Sequence, residues 1–253
     1  GHPRFIRLES KGDDFRHHCA PGQTSPRRSP RFGSASIIID DMNPRPRKLK
    51  VLRWLPNRWV LTRGARRHRV LHLTFDDGPH PEHTPVLLDL LAKHRAKATF
   101  FLIGREAERF PDVVERIVRE GPVLGNHSRS HPQFDRLDLA ALREEIQRTD
   151  QLLTRFDGAA RHDFRPPRGV LPRPMLLDCV RRGQRIAYWS YDSLDYSKRP
   201  AEVLIDSAQR FPPEPGEILL MHDDSALSMQ LLQAMLPTWA AGGFAFEPLR
   251  PSA

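Results

Sequence analysis

The chain has 253 residues, 39% of them hydrophobic, with 40 Lys/Arg against 31 Asp/Glu for a formal net charge of +9. That length holds one or two domains with a sizeable core. No run approaches the ~18–20 apolar residues that a spanning helix needs, so no transmembrane segment is expected. A net positive charge by itself would point to nucleic acid, an acidic glycan or anionic lipid, but here it is unevenly placed. Residues 1–69 carry 17 Lys/Arg and 5 Asp/Glu, and residues 70–253 carry 23 and 26. The excess therefore belongs to an arm, and the nearly neutral body, without a recognisable binding motif, is expected to take no nucleic acid. Cys19 and Cys179 match no CxxC spacing, which excludes a disulfide framework and a cysteine metal site.

Residues 1–47, rich in Pro, Ser, Gly and Arg, read as a disordered N-terminal arm with too few hydrophobes to offset ordering entropy. Met42 precedes a change of character and is a candidate natural start. No apolar h-region follows the basic N-terminus, so the chain as it stands reads as cytoplasmic, or as secreted or periplasmic if a signal has been removed. Residues 48–69 form a basic linker or packing segment containing Trp54 and Trp59. Ten Lys/Arg and no acid fall within residues 45–69. Leu52, Leu55 and Trp59 have helical spacing that Pro56 interrupts. Such a stretch lies on an anionic lipid or glycan surface, or else packs its apolar residues under the main domain and solvates its arginines.

From residue 70 short apolar runs alternate with amphipathic helices. Strands are expected at Val70–Phe75, Ala98–Ile103, Pro122–Leu124, around Phe164, and at Ile186–Trp189, Glu217–Met221 and Phe244–Glu247. Helices are expected at Thr84–His94 and Pro111–Glu120 and over 138–156, 172–183, 200–211 and 226–240. Seven strands with intervening helices imply a parallel sheet, either an α/β barrel or an open doubly wound sheet.

Polar clusters recur directly after strands: Asp76-Asp77-Gly78-Pro79, Asn126–His131, Arg165–Gly169, Asp192–Asp195 and His222-Asp223-Asp224. In parallel α/β proteins the carboxyl ends of the strands open onto one face, so these separated clusters can converge. His127 and His131, four residues apart, can turn two imidazoles to one ion. A carboxylate from Asp76-Asp77 completes a His₂-carboxylate set with room for water, suited to zinc, cobalt, nickel or iron. Two adjacent acids leaving a strand diverge, which allows one to bind a metal and the other to reach the attacking water.

Thr74–Pro79 and His127–His131 resemble the first two motifs of the polysaccharide deacetylases, carbohydrate esterase family four, which includes chitooligosaccharide and peptidoglycan deacetylases. Arg165-Pro166-Pro167-Arg168-Gly169 is similar to the third motif, Arg-x-Pro-aromatic-Gly. Asp192-Ser193-Leu194-Asp195-Tyr196 matches Asp-x-x-Asp-Trp, and Leu220-Met221-His222 matches Leu-x-His. The likeness covers about residues 70–250, in the family's order, so residues 70–253 are expected to be the catalytic domain. It implies a distorted (β/α)7 TIM-like barrel that removes acetyl groups from N-acetylated sugars of an oligo- or polysaccharide with a divalent metal, zinc above others.

Carried across residue by residue, the resemblance makes Asp77, His127 and His131 metal ligands and Asp76 the general base, held ionised by Arg165. The backbone N–H of Arg168 would stabilise the oxyanion. His222, oriented by Asp192, would protonate the leaving amine. Arg168 stands where the family has an aromatic residue, and Tyr196 where it has Trp. Arg168 alters the sugar-facing wall and could meet a substrate carboxylate or phosphate. The alternatives to a glycan N-deacetylase are a deacylase or deformylase of a lipid-linked sugar and a non-catalytic glycan-binding module.

Overall fold

The structure, a computed structural model, describes residues 43–46 and 52–249. Most of the arm read over residues 1–47, with Cys19 and Met42, lies outside the described residues. Within that arm, however, residues 43–46 are docked on the body. The Pro44 carbonyl accepts from the Asp192 N–H at 2.6 Å, and the Arg45 guanidinium pairs with buried Glu217 at 3.1 Å.

The strands are β1 (Val60–Leu61), β2 (Val70–Asp76), β3 (Ala98–Leu102), β4 (Val123–Asn126), β5 (Ile186–Ala187), β6 (Tyr191–Asp192), β7 (Ile218–His222) and β8 (Ala245–Phe246). The helices are α1 (His83–Lys93), α2 (Gly104–Arg109), α3 (Pro111–Glu120), α4 (Leu139–Asp157), α5 (Arg173–Arg182), α6 (Ala201–Arg210) and α7 (Ala226–Ala241). Every strand pair is parallel, in the order β4-β3-β2-β7-β6, with β1 on β5. Phe164 bridges β4 to β5 through Asn126 and Ile186. The ring is completed where residues 186–192 run on from β5 into β6, so the fold is a distorted (β/α)7 barrel. β8 wedges between the first residues of β2 and β3: Ala245 and Glu247 N–H groups donate to Arg69 and Leu71, and Lys97 N–H donates to Phe246.

The two-residue period of a strand sorts the side chains of β2. Leu71, Leu73 and Phe75 point outward into the main core, with Leu87 and Leu91 of α1 and Leu232 and Leu236 of α7. His72, Thr74 and Asp76 point into the barrel. Both faces are covered, which is why β3 is buried throughout and apolar at every position but Thr99. Phe100 joins the outer core while Phe101 enters the lumen with Leu61, Ala187, Ile218 and Leu249.

Some boundaries differ from expectation for local reasons. β4 runs on through Gly125 and Asn126, past the expected end at Leu124. A Cβ at Gly125 would lie 2.4 Å from the Phe101 ring, so the close approach of that ring requires glycine. The strand around Phe164 shrinks to one bridging residue because Pro166 and Pro167 have no N–H to extend the ladder. Of the segment read over 48–69, the described residues 52–69 pack rather than standing free: Leu52, Leu55 and Trp59 lie against the cluster of Val60, Phe164, Ile186 and Tyr188, and Val60–Leu61 pairs with β5. Cys179 is buried in the same cluster, and burial pushes its thiol up to about 12, so it behaves as a small core residue. Among the described residues no helix is long and apolar enough to cross a membrane.

Candidate active site

All five polar clusters sit at the carboxyl-end mouth of the barrel. β2 delivers Asp76 and Asp77; the loop after β4 delivers His127 and His131. Arg165 comes from the Phe164 bridge, the loop after β6 brings Asp195 and Tyr196, and β7 ends on His222, whose Cα partner in the sheet is Asp76. Seven described non-glycine residues have positive φ, and Asp77, Ser128, His131, Arg168 and Leu194 of these belong to the mouth. Strained backbone gathered at one place is the mark of a constellation fixed for function.

The loop after β4 is tied down by its own polar side chains. The Asn126 amide donates to Ile146 O and Asp150 Oδ1, anchoring α4, and its Oδ1 accepts from Ser128 N–H at 2.9 Å. Ser128 Oγ accepts from His131 N–H, and Glu145 takes both the N–H and the hydroxyl of Ser130. These bonds turn His131 back toward His127, their ring centroids 5.1 Å apart. His127 Nδ1 sits 2.8 Å from the Arg165 carbonyl, which leaves Nε2 facing the mouth.

Asp77, His127 and His131 form the one cluster among the described residues able to hold a metal, their ligand atoms all within 4.8 Å of one another. Each imidazole Nε2 lies 3.4 Å from Asp77 Oδ1. That oxygen is buried and accepts no hydrogen bond. An orphaned anionic oxygen facing two neutral-capable imidazoles fits a divalent cation, with a His₂-carboxylate donor set that leaves positions open. Burial would raise the Asp77 carboxyl, but the facing His127 imidazole, with the charges of His131 and His222, holds it down at about 2. Burial lowers His131; Asp77 opposes this, while the charges of His127 and Arg168 push it further down. Both directions favour metal-ready protonation states.

Asp76 stands beside this cluster and is handled differently. Its Oδ1 accepts from Arg165 at 2.7 Å, while Oδ2 faces His127 Nε2 at 3.8 Å. Arg165 is fully buried in the lumen. Thr74 Oγ1 and the Ala187 and Tyr188 carbonyls take its other protons, and its guanidinium lies 4.0 Å from the Phe101 ring centroid. A cation so fixed and buried places its charge directly against the Asp76 carboxylate.

On the opposite wall, the partner of His222 is Asp195. Its Oδ1 lies 2.8 Å from His222 Nδ1 and its Oδ2 accepts the His222 N–H at 2.7 Å. This corrects the expectation that Asp192 orients His222. The Asp192 carboxylate instead folds its own loop, accepting from Leu194 N–H and from the Tyr196 hydroxyl. A chain that has just left β6 brings the residue three positions on, past the left-handed turn at Leu194, over the end of β7. Burial opposes a charged His222, but Asp195, with Asp76 and Asp77 behind it, raises the imidazole to about 10. Burial also pushes Asp192 up to about 6, against the hydrogen bond from Leu194. Tyr196 is 56% exposed and meets the His222 ring edge-on at 5.6 Å.

Arg168 lies at the rim with φ 55°, exposed, in the short turn Pro167–Gly169. It makes no ion pair among the described residues. The turn is held from behind, where the Tyr188 hydroxyl donates to Gly169 O and a Cβ on Gly169 would strike the Trp189 ring. Asp223 belongs to the strand-end cluster His222-Asp223-Asp224, but the sequence assigns it no role. Its carboxyl group is buried against Gly78 and accepts from the Thr84 hydroxyl. The signal available was a third acid at a strand end.

A parallel barrel with a His₂-carboxylate cluster at its mouth, a clamped carboxylate on one side and a protonated imidazole on the other, defines a metal-assisted hydrolase. Comparison with known proteins gives the same class. Residues 63–199 match the family described as polysaccharide deacetylase. The chain is 34% identical over 207 residues to a peptidoglycan-N-acetylglucosamine deacetylase of Bacillus cereus, covering 78% of this chain and 74% of that protein. It is 35% identical over 157 residues to a chitooligosaccharide deacetylase of Rhizobium leguminosarum bv. trifolii, covering 61% and 72%. A crystal structure of a peptidoglycan N-acetylglucosamine deacetylase superposes with a TM-score of 0.72 at 34% identity, covering 76% of this chain and 91% of that one. The chain belongs to the polysaccharide deacetylase family.

Proposed function

We propose that this protein hydrolyses the acetamide of N-acetylated sugars in an oligo- or polysaccharide, releasing acetate and leaving a free amine. The observation that carries the reading is the orphaned Asp77 oxygen between His127 and His131, flanked by the Arg165-held Asp76 and the Asp195-held His222. Asp77, His127 and His131 hold the divalent ion, zinc being the first choice for two imidazoles and a carboxylate. When bound, it polarises the acetamide carbonyl and makes water more acidic. Asp76 takes the proton of the attacking water. The peptide N–H of Arg168 faces the oxygen that gains charge. His222 gives its proton to the departing nitrogen, which an amide requires because an unprotonated amide anion is a very poor leaving group. Tyr196 offers its exposed ring to a sugar.

The test is acetate release from chitooligosaccharides, peptidoglycan and acetylxylan, before and after chelation and with metal added back. Release is expected to vanish on chelation and return with zinc or cobalt. Absence of metal-dependent release from all three would overturn the reading.

The unpaired Arg168 narrows the substrate. A cation at the rim, beside the acetamide's position, favours a glycan bearing a carboxylate or phosphate near the acetylated nitrogen. Arg168→Tyr is expected to lower kcat/KM on acidic glycans about tenfold relative to neutral ones, a loss of roughly 1.4 kcal/mol. An equal change on both classes would refute the preference. The outer side of the 45–69 segment, where Trp54 is 90% exposed beside exposed Arg53 and Arg58, is the part suited to an anionic lipid or glycan surface.

A further inference from the structure

The Asp223 carboxyl group has no task in the chemistry above, yet it is among the most thoroughly buried acids in the protein, 1% exposed at the end of β7. Its Oδ2 accepts from the Thr84 hydroxyl, its Oδ1 has no hydrogen-bond partner, and both oxygens lie where a side chain on Gly78 would begin, 2.3 Å from an added Cβ. The groups around it belong to one turn. Thr84 Oγ1 accepts from His80 N–H at 2.7 Å, Gly78 O accepts from Ile103 N–H at 2.8 Å, and Asp223 N–H reaches Asp76 O at 3.3 Å. Residues 76–84 are therefore gripped from β3 on one side and from β7 on the other. Asp77 sits inside that grip with φ 74°, a conformation that an L residue does not hold unaided.

A buried acid carries a desolvation cost that apolar packing would avoid, so its presence calls for a positional reason. Glycine at position 78 supplies one half of it, since only a residue without a Cβ lets the carboxyl group seat on the turn. The other half is the bond to the first turn of α1, which fixes where the turn ends. A carboxyl group in that seat sets how far the turn can swing, and with it where Asp77 Oδ1 stands relative to His127 and His131. It also ties that oxygen to the strand that ends on His222, so the metal side and the proton-donor side of the mouth share one fixed point.

We propose that Asp223 is a positioning residue that, through Gly78 and Thr84, holds the 76–84 turn so that Asp77 presents its oxygen to the metal. The inference rests on the metal reading of the site, so the experiment measures metal binding rather than turnover alone. Zinc affinity is determined by competition with a chromophoric chelator for the wild type and for Asp223→Ala, Asp223→Asn and Thr84→Val, with the melting temperature of each metal-free protein recorded beside it. Loss of a group that orients a ligand weakens metal binding by about tenfold or more. Asp223→Ala and Thr84→Val are expected to show that loss. Asp223→Asn keeps the shape and the acceptor for Thr84, and is expected to stay within about threefold of wild type.

Asp223→Ala with wild-type zinc affinity would overturn the proposal, as would Asp223→Asn binding as weakly as Asp223→Ala. A drop in melting temperature without a change in affinity would reduce Asp223 to a structural residue and likewise overturn it. Should Asp223→Ala fail to fold, Thr84→Val breaks the same bond from α1 and decides the matter on its own. Wild-type protein that binds no zinc overturns the metal reading and this inference together, whereas a zinc-binding wild type with unchanged variants removes only the role of Asp223.

Discussion

Asp76→Asn is expected to lower kcat/KM for acetate release by roughly 10²–10⁴-fold, the range for loss of a general base, while the protein still binds zinc. The substitution is nearly isosteric, and an Asn oxygen can still accept from Arg165, so the geometry of the mouth is preserved and the proton acceptor is lost. A second effect follows from burial. Arg165 is fully enclosed and Asp76 is its one carboxylate partner among the described ion pairs. Removing one charge of a buried pair costs about 3–5 kcal/mol. The figure here falls toward the lower end because Thr74, two carbonyls and the Phe101 ring remain around the guanidinium. Activity and zinc titrations are therefore read together with a thermal melt. Turnover within threefold of wild type in a zinc-loaded Asp76→Asn protein would remove Asp76 from the mechanism.

Asp195→Asn is expected to move the alkaline limb of the kcat/KM profile to lower pH and to cut activity about 10²-fold or more above neutrality. The direction follows from which form of His222 acts. The leaving nitrogen needs the protonated imidazole, so activity falls as pH rises through the His222 pKa, about 10 with Asp195 in place. Burial alone drives that pKa down, and Asp195 supplies the opposing hydrogen bond and charge. With Asn at position 195 burial prevails and the proton is lost earlier. The same linkage acts on stability: a folded-state pKa raised above the unfolded one stabilises fully below about pH 6.5 and loses that contribution as pH climbs to about 10. Asp192→Asn is the control, because Asp192 bonds its own loop and not His222. An alkaline limb that shifts more with Asp192→Asn than with Asp195→Asn would restore the sequence-based assignment and refute the geometric one.

How far the sequence carries depends on the range of the interactions involved. α4 is legible because its stop and start are local: Asp138 caps it by accepting from Ala141 N–H, and Gly158 ends it in the left-handed conformation. β2 and β7 are legible as apolar runs that end in acids and histidine. β1 is not, since Val60–Leu61 is a strand only because Ile186 and Tyr188 N–H groups donate to Trp59 and Leu61, far along the chain. The site divides in the same way. His127 and His131 at four-residue spacing, and two acids after a strand, point to the candidate cluster before any coordinates, though not to which acid joins it. Which of Asp192 and Asp195 meets His222 depends on a backbone turn at Leu194 that no spacing encodes, and Asp223 is silent because its partners, Gly78 and Thr84, read as ordinary loop and helix residues.

The position of β7 beside β2 also orders events in time. Asp77 follows β2, and His127 and His131 follow β4, so the three proposed ligands are complete by residue 131. His222 belongs to a strand that cannot dock until some ninety residues later, and β8 wedges in after that. A chain made from its amino end thus assembles the proposed cation donors first and the proposed proton donor nearly last. On the roles proposed above, the half-built protein has donors for an ion but no group to protonate the amine, and that group arrives only with β7.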